Sequence, residues 1–463
     1  MKAILDLLRR NKLFFLLVTL AALALRLLFI FRFPHVAGDT FTYGDIAKSW
    51  LNHGVYGLSS PSLRPTLIRL PGYPAFLAVM FSIFGQEHYR AVMIAQAFLD
   101  TNTCLVISAL ALELMNARAA KAAYLLAALC PFTANYAAAP MSETLAIFTT
   151  AHALYYGVRG LKGLLSGTPG NLLWAVCGLW ISAAIYMRPD NGLLLAPFTA
   201  ALLFIFFKRP VLHSKVVIAG TLLLFCALAP LAPWTIRNWR TFHLFQPLAP
   251  RYANDPGEFV AFGFNHWVKS WSAEFVSVDE VYWHVPGDPL EFGLLPSRAF
   301  DSRAEYDETR QLVSDYNQQN DLDAGMDGQF ESLARARIKR RPLRYYVWLP
   351  ALRITDMWLR PRTEMLNIEL RWWEFSEHPE ESAFALSWAA LNLFFLIAAA
   401  WGCIRWRLGL SGFVLLGFIV LRSAFLGTLE NPEPRYMLEC FPAILAMAGG
   451  AFARSVASTS ISR

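Results

Sequence analysis

Residues 13–31 read LFFLLVTLAALALRLLFIF, nineteen positions with one charge, Arg26. An α-helix needs roughly 17 to 25 mainly apolar residues to cross the hydrocarbon of a bilayer, and this run meets that length. It follows Lys2, Arg9, Arg10 and Lys12, as the core of a signal peptide would. Its length, the charge at Arg26 and the lack of a clear small-x-small cleavage site make it read as a retained anchor instead.

Runs of the same kind recur near 89–112, 119–138, 143–159, 171–187, 191–207, 215–233, 383–404, 410–428 and 436–453, ten spans in all. Composition agrees. Of 463 residues 56% are hydrophobic and only 16% charged, whereas a water-soluble domain averages nearer a quarter charged. The chain is therefore expected to be an all-α integral membrane protein with a mixed extramembrane segment. Disordered, collagen-like and disulfide-scaffold classes are excluded.

The net charge of +7 bears on orientation rather than on nucleic acid, since the long polar stretch carries many acids and no basic stripe. With the N-terminus in the cytoplasm, the cytoplasmic segments hold fifteen basic residues, including Arg118, Lys121, Lys208, Arg209, Arg405, Arg454 and Arg463, against two acids, Asp6 and Glu113. Positively charged loops stay inside, so both termini are expected to be cytoplasmic. Three stretches follow: a transmembrane module over 1–233 with its first outer loop at 32–88, an outer-face segment over 234–382, and transmembrane helices over 383–463. Within the outer regions, Tyr73–Phe84 is too short to cross and reads as interfacial. Tyr345–Leu359, interrupted by Arg353 and Asp356, reads the same way.

All six cysteines lie in apolar runs without CxxC, and the nine histidines show neither HxxxH nor HExxH spacing. Small buried thiols and packing are the expected roles. His152, alone inside a span, is expected to make a helix-packing hydrogen bond.

Ionisable groups near membrane depth are expensive and tend to be functional. With this topology Asp39, Asp45, Arg64, Arg69, Glu143, Arg188, Asp190, Arg237, Glu433 and Arg435 all fall at the outer ends of different spans. Asp39 has two readings: a general base that deprotonates an acceptor hydroxyl, or a helix N-cap. Arg69, in the elbow Arg69-Leu70-Pro71-Gly72-Tyr73-Pro74, reaches either a phosphate or the lipid headgroups. Glu143 opens the fourth span, where an acid favours the helix dipole, and is a candidate second acid. Arg188 and Arg237 read as interfacial anchors or as a phosphate clamp, and Arg435 as a loop residue or a further phosphate contact.

The ordered set Asp39-x-x-x-Tyr43, Gly54-x-Tyr56, Arg69-x-Pro71-Gly72-Tyr73-Pro74, Ser142-Glu143-Thr144-Leu145, Tyr186-x-Arg188-Pro189, Pro233-Trp234-Thr235-Ile236-Arg237-Asn238 and Arg435-Tyr436 resembles the GT-C membrane glycosyltransferases. The likeness is to the branch of the protein O-mannosyltransferases and the bacterial aminoarabinose transferase of lipid A. The resemblance covers nearly the whole chain and is weakest over 255–380. It implies an enzyme that moves a monosaccharide from a polyprenyl-phosphate donor to a lipid, protein or glycan acceptor, with inversion, on the outer (periplasmic or extracellular) face of a bacterial inner membrane.

The resemblance also implies roles. Asp39 would be the base and Glu143 a second acid, with Tyr43, Arg69, Tyr73, Arg188, Arg237 and Arg435 binding substrate. Many relatives place a second acid directly after the first; here Thr40 stands there. No cofactor is therefore expected, with a divalent metal left open. Membrane lipids are the further partner, and nucleic acid is not one.

Two readings compete. A lipid-linked saccharide flippase needs charges through the middle of several spans; these are few, Asp100 and Arg422 being the clearest, which favours an enzyme acting at one surface. A scaffold would dock partners through 234–382.

Overall fold

The computed structural model describes residues 2–168 and 170–453; Arg454 and Arg463, counted above as cytoplasmic, lie outside the described residues. The chain is helical almost throughout. Among the described residues six helices are long and apolar enough to cross a membrane: Lys12–Arg32, Tyr89–Leu114, Pro189–Lys208, Pro210–Phe242, Pro379–Trp406 and Gly409–Gly427. The other expected spans form shorter or more polar helices, Ala117–Ala128 with Pro131–Tyr136, Glu143–Ser166, Asn171–Met187, and Phe441–Ala448 with its flanking turns.

Three spans depart from their expected shape. The run 119–138 is broken at Leu129–Cys130, because Pro131 has no N–H to continue the ladder and starts a new helix instead. The run 436–453 is a 3₁₀ stretch Pro434–Cys440 leading into Phe441–Ala448, with Pro442 again lacking a donor at the junction. The seventh span, expected to close at Trp234–Trp239, continues helical to Phe242 and ends at His243 in the left-handed conformation, φ 56. Pro233 sits in that helix's first turn, where a missing N–H removes no intrahelical bond.

The residues pack as two units. The first comprises Met1–Pro256, Leu393–Ile419 and the chain from Leu438 on; the second comprises Gly257–Asn392 and Val420–Met437.

In the first unit a buried ion pair sits inside the apolar layer. Arg26 places Nη2 2.7 Å from Asp100 Oδ2, and its other donors reach the carbonyls of Ala127 at 3.3 Å and Ala128 at 2.5 Å. Those carbonyls end the helix that Pro131 interrupts, so the guanidinium satisfies acceptors the break would orphan. Close helix approach depends on missing side chains. A Cβ on Gly178 would stand 2.5 Å from the Leu223 carbonyl oxygen, and one on Gly72 2.5 Å from that of Tyr186. His152 bonds the Phe148 carbonyl at 2.9 Å and stacks on Trp180.

The only strand pair among the described residues is Gly57–Leu58 with Arg64–Pro65, antiparallel, within segment 32–88. The run expected to lie at the interface, Tyr73–Phe84, forms the helix Gly72–Phe84.

The second unit is built on the hairpin Arg303–Gln319 and Ala324–Arg340. Asn320 in the left-handed conformation closes the first helix, and the Asp323 side chain caps the second. Its core gathers Phe264, Trp267, Trp271, Leu312, Tyr316 and Phe330. Arg353, expected at an interface, is fully buried and donates to the Ser272 carbonyl at 3.0 Å. Arg422 is likewise buried and donates to the Tyr436 carbonyl at 2.8 Å.

Candidate active site

Gly38, at φ 53, occupies the N-cap position of helix Asp39–His53, and no side chain caps that helix. The capping reading of Asp39 is thus not what the structure contains. Asp39 is the first helical residue, and its Oδ1 accepts from Arg69 Nη2 at 2.7 Å. Both side chains keep a solvent-facing edge, at 31% and 24% exposure. A carboxylate in this place can accept a proton, and a cation beside it can meet an anion.

One helical turn along, Tyr43 lies beneath the Arg69 guanidinium, 5.8 Å from ring centroid to Cζ. Its ring meets Tyr73 edge-on at 5.0 Å. Burial pushes the Tyr43 phenol above its ordinary value, opposed by Arg69 and reinforced by Asp39 and Glu143, and its hydroxyl is hydrogen-bonded to Ser142. Tyr43 is therefore the contact through which the Asp39–Arg69 pair adjoins the start of helix Glu143–Ser166. Tyr73 donates to Gln96 Oε1 at 2.7 Å, and Gln96 donates to the Ala139 carbonyl at 2.7 Å. That buried amide fixes the turn leading to Ser142 and Glu143.

Glu143 is buried, and its Oε1 accepts from Arg188 Nη1 at 3.3 Å. Arg188 ends helix Asn171–Met187. Its Nε also lies 3.4 Å from Asp190 Oδ1 and 3.2 Å from Glu439 Oε1. One arginine thus stands among three carboxylates, and Glu439 is fully buried. A guanidinium in this setting lowers the desolvation penalty of its acids.

Arg237 holds a different part of segment 32–88. It donates to the Thr66 carbonyl at 2.7 Å and the Tyr56 carbonyl at 2.7 Å, with its Cζ 5.4 Å from the Tyr56 ring centroid and 5.1 Å from that of Trp234. Tyr56 in turn donates to the Arg69 carbonyl at 2.9 Å. Arg435 belongs to the second unit, where its Nε lies 2.5 Å from Glu433 Oε2 and its Cζ 5.6 Å from the Tyr436 ring centroid. Asp45 accepts from the backbone and hydroxyl of Ser59.

The structure therefore joins Asp39, Tyr43, Arg69, Tyr73, Glu143 and Arg188 through successive contacts. It adds Gln96, Asp190 and Glu439 to that set. Glu439 carried a signal, an acid inside an apolar run; Gln96 carried none beyond its polarity.

Beside the cluster, the first unit opens an apolar cavity of about 570 Å³. Its walls include Ile185, Leu195, Leu228, Leu231, Ile236 and Phe245. Arg188 directly precedes the wall residue Pro189 in sequence, and Arg237 directly follows Ile236.

Residues 64–234 match the dolichyl-phosphate-mannose-protein mannosyltransferase family. No curated protein matches the chain. Among solved structures, the oligosaccharyltransferase of Archaeoglobus fulgidus carrying a tethered acceptor peptide superposes with TM-score 0.52 at 13% identity, over 95% of this chain and 49% of that one. The archaeal oligosaccharyltransferase AglB from Archaeoglobus fulgidus, in complex with an inhibitory peptide and a dolichol-phosphate, gives TM-score 0.50 at 13% identity, over 96% and 50%. ArnT from Cupriavidus metallidurans bound to undecaprenyl phosphate aligns over 94% of this chain and 77% of that one, at 14% identity and TM-score 0.37. The chain spans about half the length of the archaeal enzyme. The chain shares the helical membrane fold of the archaeal oligosaccharyltransferase, and its segment 64–234 matches the dolichyl-phosphate-mannose-protein mannosyltransferase family.

Proposed function

We propose that the chain is a membrane glycosyltransferase that transfers a monosaccharide from a polyprenyl-phosphate carrier to a hydroxyl or amine acceptor, with inversion. The observation that carries this is the partly open Asp39–Arg69 pair, backed by the buried Glu143 and its half-buried partner Arg188, in a unit that also opens an apolar cavity of a size for lipid chain.

In the step, the acceptor oxygen or nitrogen attacks the anomeric carbon while Asp39 takes its proton. The bond from that carbon to the phosphate oxygen breaks, and the polyprenyl phosphate leaves with the electron pair. Negative charge grows on the departing phosphate, so a guanidinium nearby stabilises the transition state more than the ground state. Such preorganised donors are worth about 2.7–4 kcal/mol each. Arg69, the arginine in contact with the base, takes that role; Arg188 holds Glu143 in place to orient the sugar or acceptor.

By the charge asymmetry of the loops the site faces outward, opposite the basic segments. The AglB structure that shares the fold holds a dolichol-phosphate, and the matched family is described by a dolichyl-phosphate donor. Both are in keeping with a lipid-phosphate donor here.

The test is to incubate purified protein with a panel of polyprenyl-phosphate monosaccharides and follow sugar leaving the carrier. Release by the wild type and its loss in Asp39→Asn, with carrier binding retained, is the expected result. Full activity in Asp39→Asn overturns the base assignment, and no release from any carrier overturns the reaction.

A further inference from the structure

We infer that Asp255 is a positioning residue for the Asp39–Arg69 pair, holding the outer-loop segment that delivers Arg69. The inference rests on the glycosyltransferase reading for its effect on rate, and on geometry alone for the hold itself.

Arg69 stands on a segment that is neither helix nor long strand. Pro61, Pro65 and Pro71 interrupt it and remove backbone donors. What fixes such a segment must come from side chains elsewhere. Asp255, 5% exposed, supplies two oxygens. Oδ1 accepts from the Leu67 N–H at 2.9 Å and from Thr66 Oγ1 at 2.9 Å, and Oδ2 accepts from the same hydroxyl at 2.8 Å.

On the carbonyl side of the same peptide, Arg237 donates to Thr66 O at 2.7 Å. An anion and a cation thus grip opposite poles of the Thr66–Leu67 peptide, and Arg237 and Asp255 are within electrostatic reach of each other. Arg237 also holds the Tyr56 carbonyl, and the Tyr56 hydroxyl holds the carbonyl of Arg69 itself. Only Ile68 lies between the clamped peptide and Arg69, whose guanidinium meets Asp39 at 2.7 Å.

The consequence is geometric. Charge-assisted hydrogen bonds to a buried carboxylate are strong and costly to lose. Removing the charge of Asp255 frees the segment to shift, and a displacement near 1 Å remote from the chemistry lowers rates by about 100-fold. Asp255 touches no reacting atom in this account.

The test uses the full chain in detergent. Asp255→Asn is expected to lower kcat by about 10- to 100-fold with donor KM little changed. Thr66→Val should reproduce part of that loss and Thr66→Ser, which keeps the hydroxyl, should retain most of the rate. In a double-mutant cycle with Arg69→Gln the kcat effects should fail to add, while the shifts in Tm add.

Amide exchange over residues 66–69 should rise in Asp255→Asn. Unchanged exchange there overturns the hold whatever the activity. Unchanged kcat with a lowered Tm, or kcat effects that add with Arg69→Gln, overturns the positioning role while leaving the Asp39 result untouched. A wild type that releases no sugar counts against the reaction alone, and the exchange measurement still decides the clamp.

Discussion

Arg188, at the end of one helix, holds Nε 3.2 Å from the Oε1 of Glu439, which comes from the far end of the chain and is fully buried. The pair ties the last helical segment of the first unit to the start of helix Glu143–Ser166 through Glu143.

Arg188→Met should therefore lower stability more than Glu439→Gln. It leaves Glu143, Asp190 and Glu439 clustered without their shared cation, and breaking a buried pair from one side typically costs about 3–5 kcal/mol. Thermal unfolding of the two variants in the same detergent measures the order; a smaller Tm drop in Arg188→Met would refute it.

Arg69→Gln should reduce sugar release by about 100- to 1,000-fold, the usual effect of deleting one preorganised donor. Arg69→Lys should recover part of that loss, since it keeps the charge and forfeits the planar fork. The readout is initial rate at saturating donor, compared with binding of the sugar-free carrier.

Gly72→Ala should disturb the site from outside it. The new Cβ would stand 2.5 Å from the Tyr186 carbonyl oxygen, too close for backbone to absorb without movement. Helix Gly72–Phe84 carries Tyr73, and Tyr186 lies two residues before Arg188. Loss of both Tm and rate is expected, and a silent variant would show that this approach does not matter.

Ala232 lines the apolar cavity and is itself exposed. Ala232→Trp should fill that space and raise KM for a long-chain carrier by about tenfold with kcat nearly unchanged, the pattern of lost uniform binding. A short-chain carrier should be spared. Equal effects on both carriers would place the isoprenoid elsewhere.

Two acids in the second unit should give opposite pH behaviour. Burial pushes Asp356 up to about 6 from its ordinary 3.8, so the folded state binds a proton more tightly than the unfolded one. Its contribution is then most favourable below about 4 and is lost as pH rises through about 6. Asp301 is held below the ordinary carboxylate range, first by its hydrogen bond from Arg344. It stabilises above that range and loses the effect as pH falls through its folded value. Tm against pH should show Asp356→Asn gaining on the wild type between pH 5 and 7, and Asp301→Asn losing least at the most acidic values.

Much of the fold was legible because apolar runs of spanning length stand out against a polar background. The breaks were not: hydropathy over 119–138 and 436–453 is insensitive to the single missing N–H of Pro131 or Pro442, and that missing donor divides the helix. Asp39, Arg69, Glu143 and Arg188 could be picked as candidates since charges at the ends of apolar runs are conspicuous. Their pairing could not. Which arginine meets Asp39 depends on the clamp around Thr66, and the partners there, Asp255 and Arg237, lie far along the chain. Glu439 was visible as an acid in an apolar run, but its proximity to Arg188 is a product of the folded helices alone.

The ion pair between Arg26 and Asp100 has a bearing on biogenesis. A lone arginine at the centre of a segment raises its insertion free energy by about 2.5–3.5 kcal/mol, and here the neutralising acid lies in the following long helix. The leading segment should thus settle in the bilayer only once its successor leaves the translocon, so that the two enter as a couple. Nascent chains truncated before residue 100 should remain extractable by alkali, whereas chains extending past residue 114 should resist it. Asp100→Leu should prolong the extractable stage.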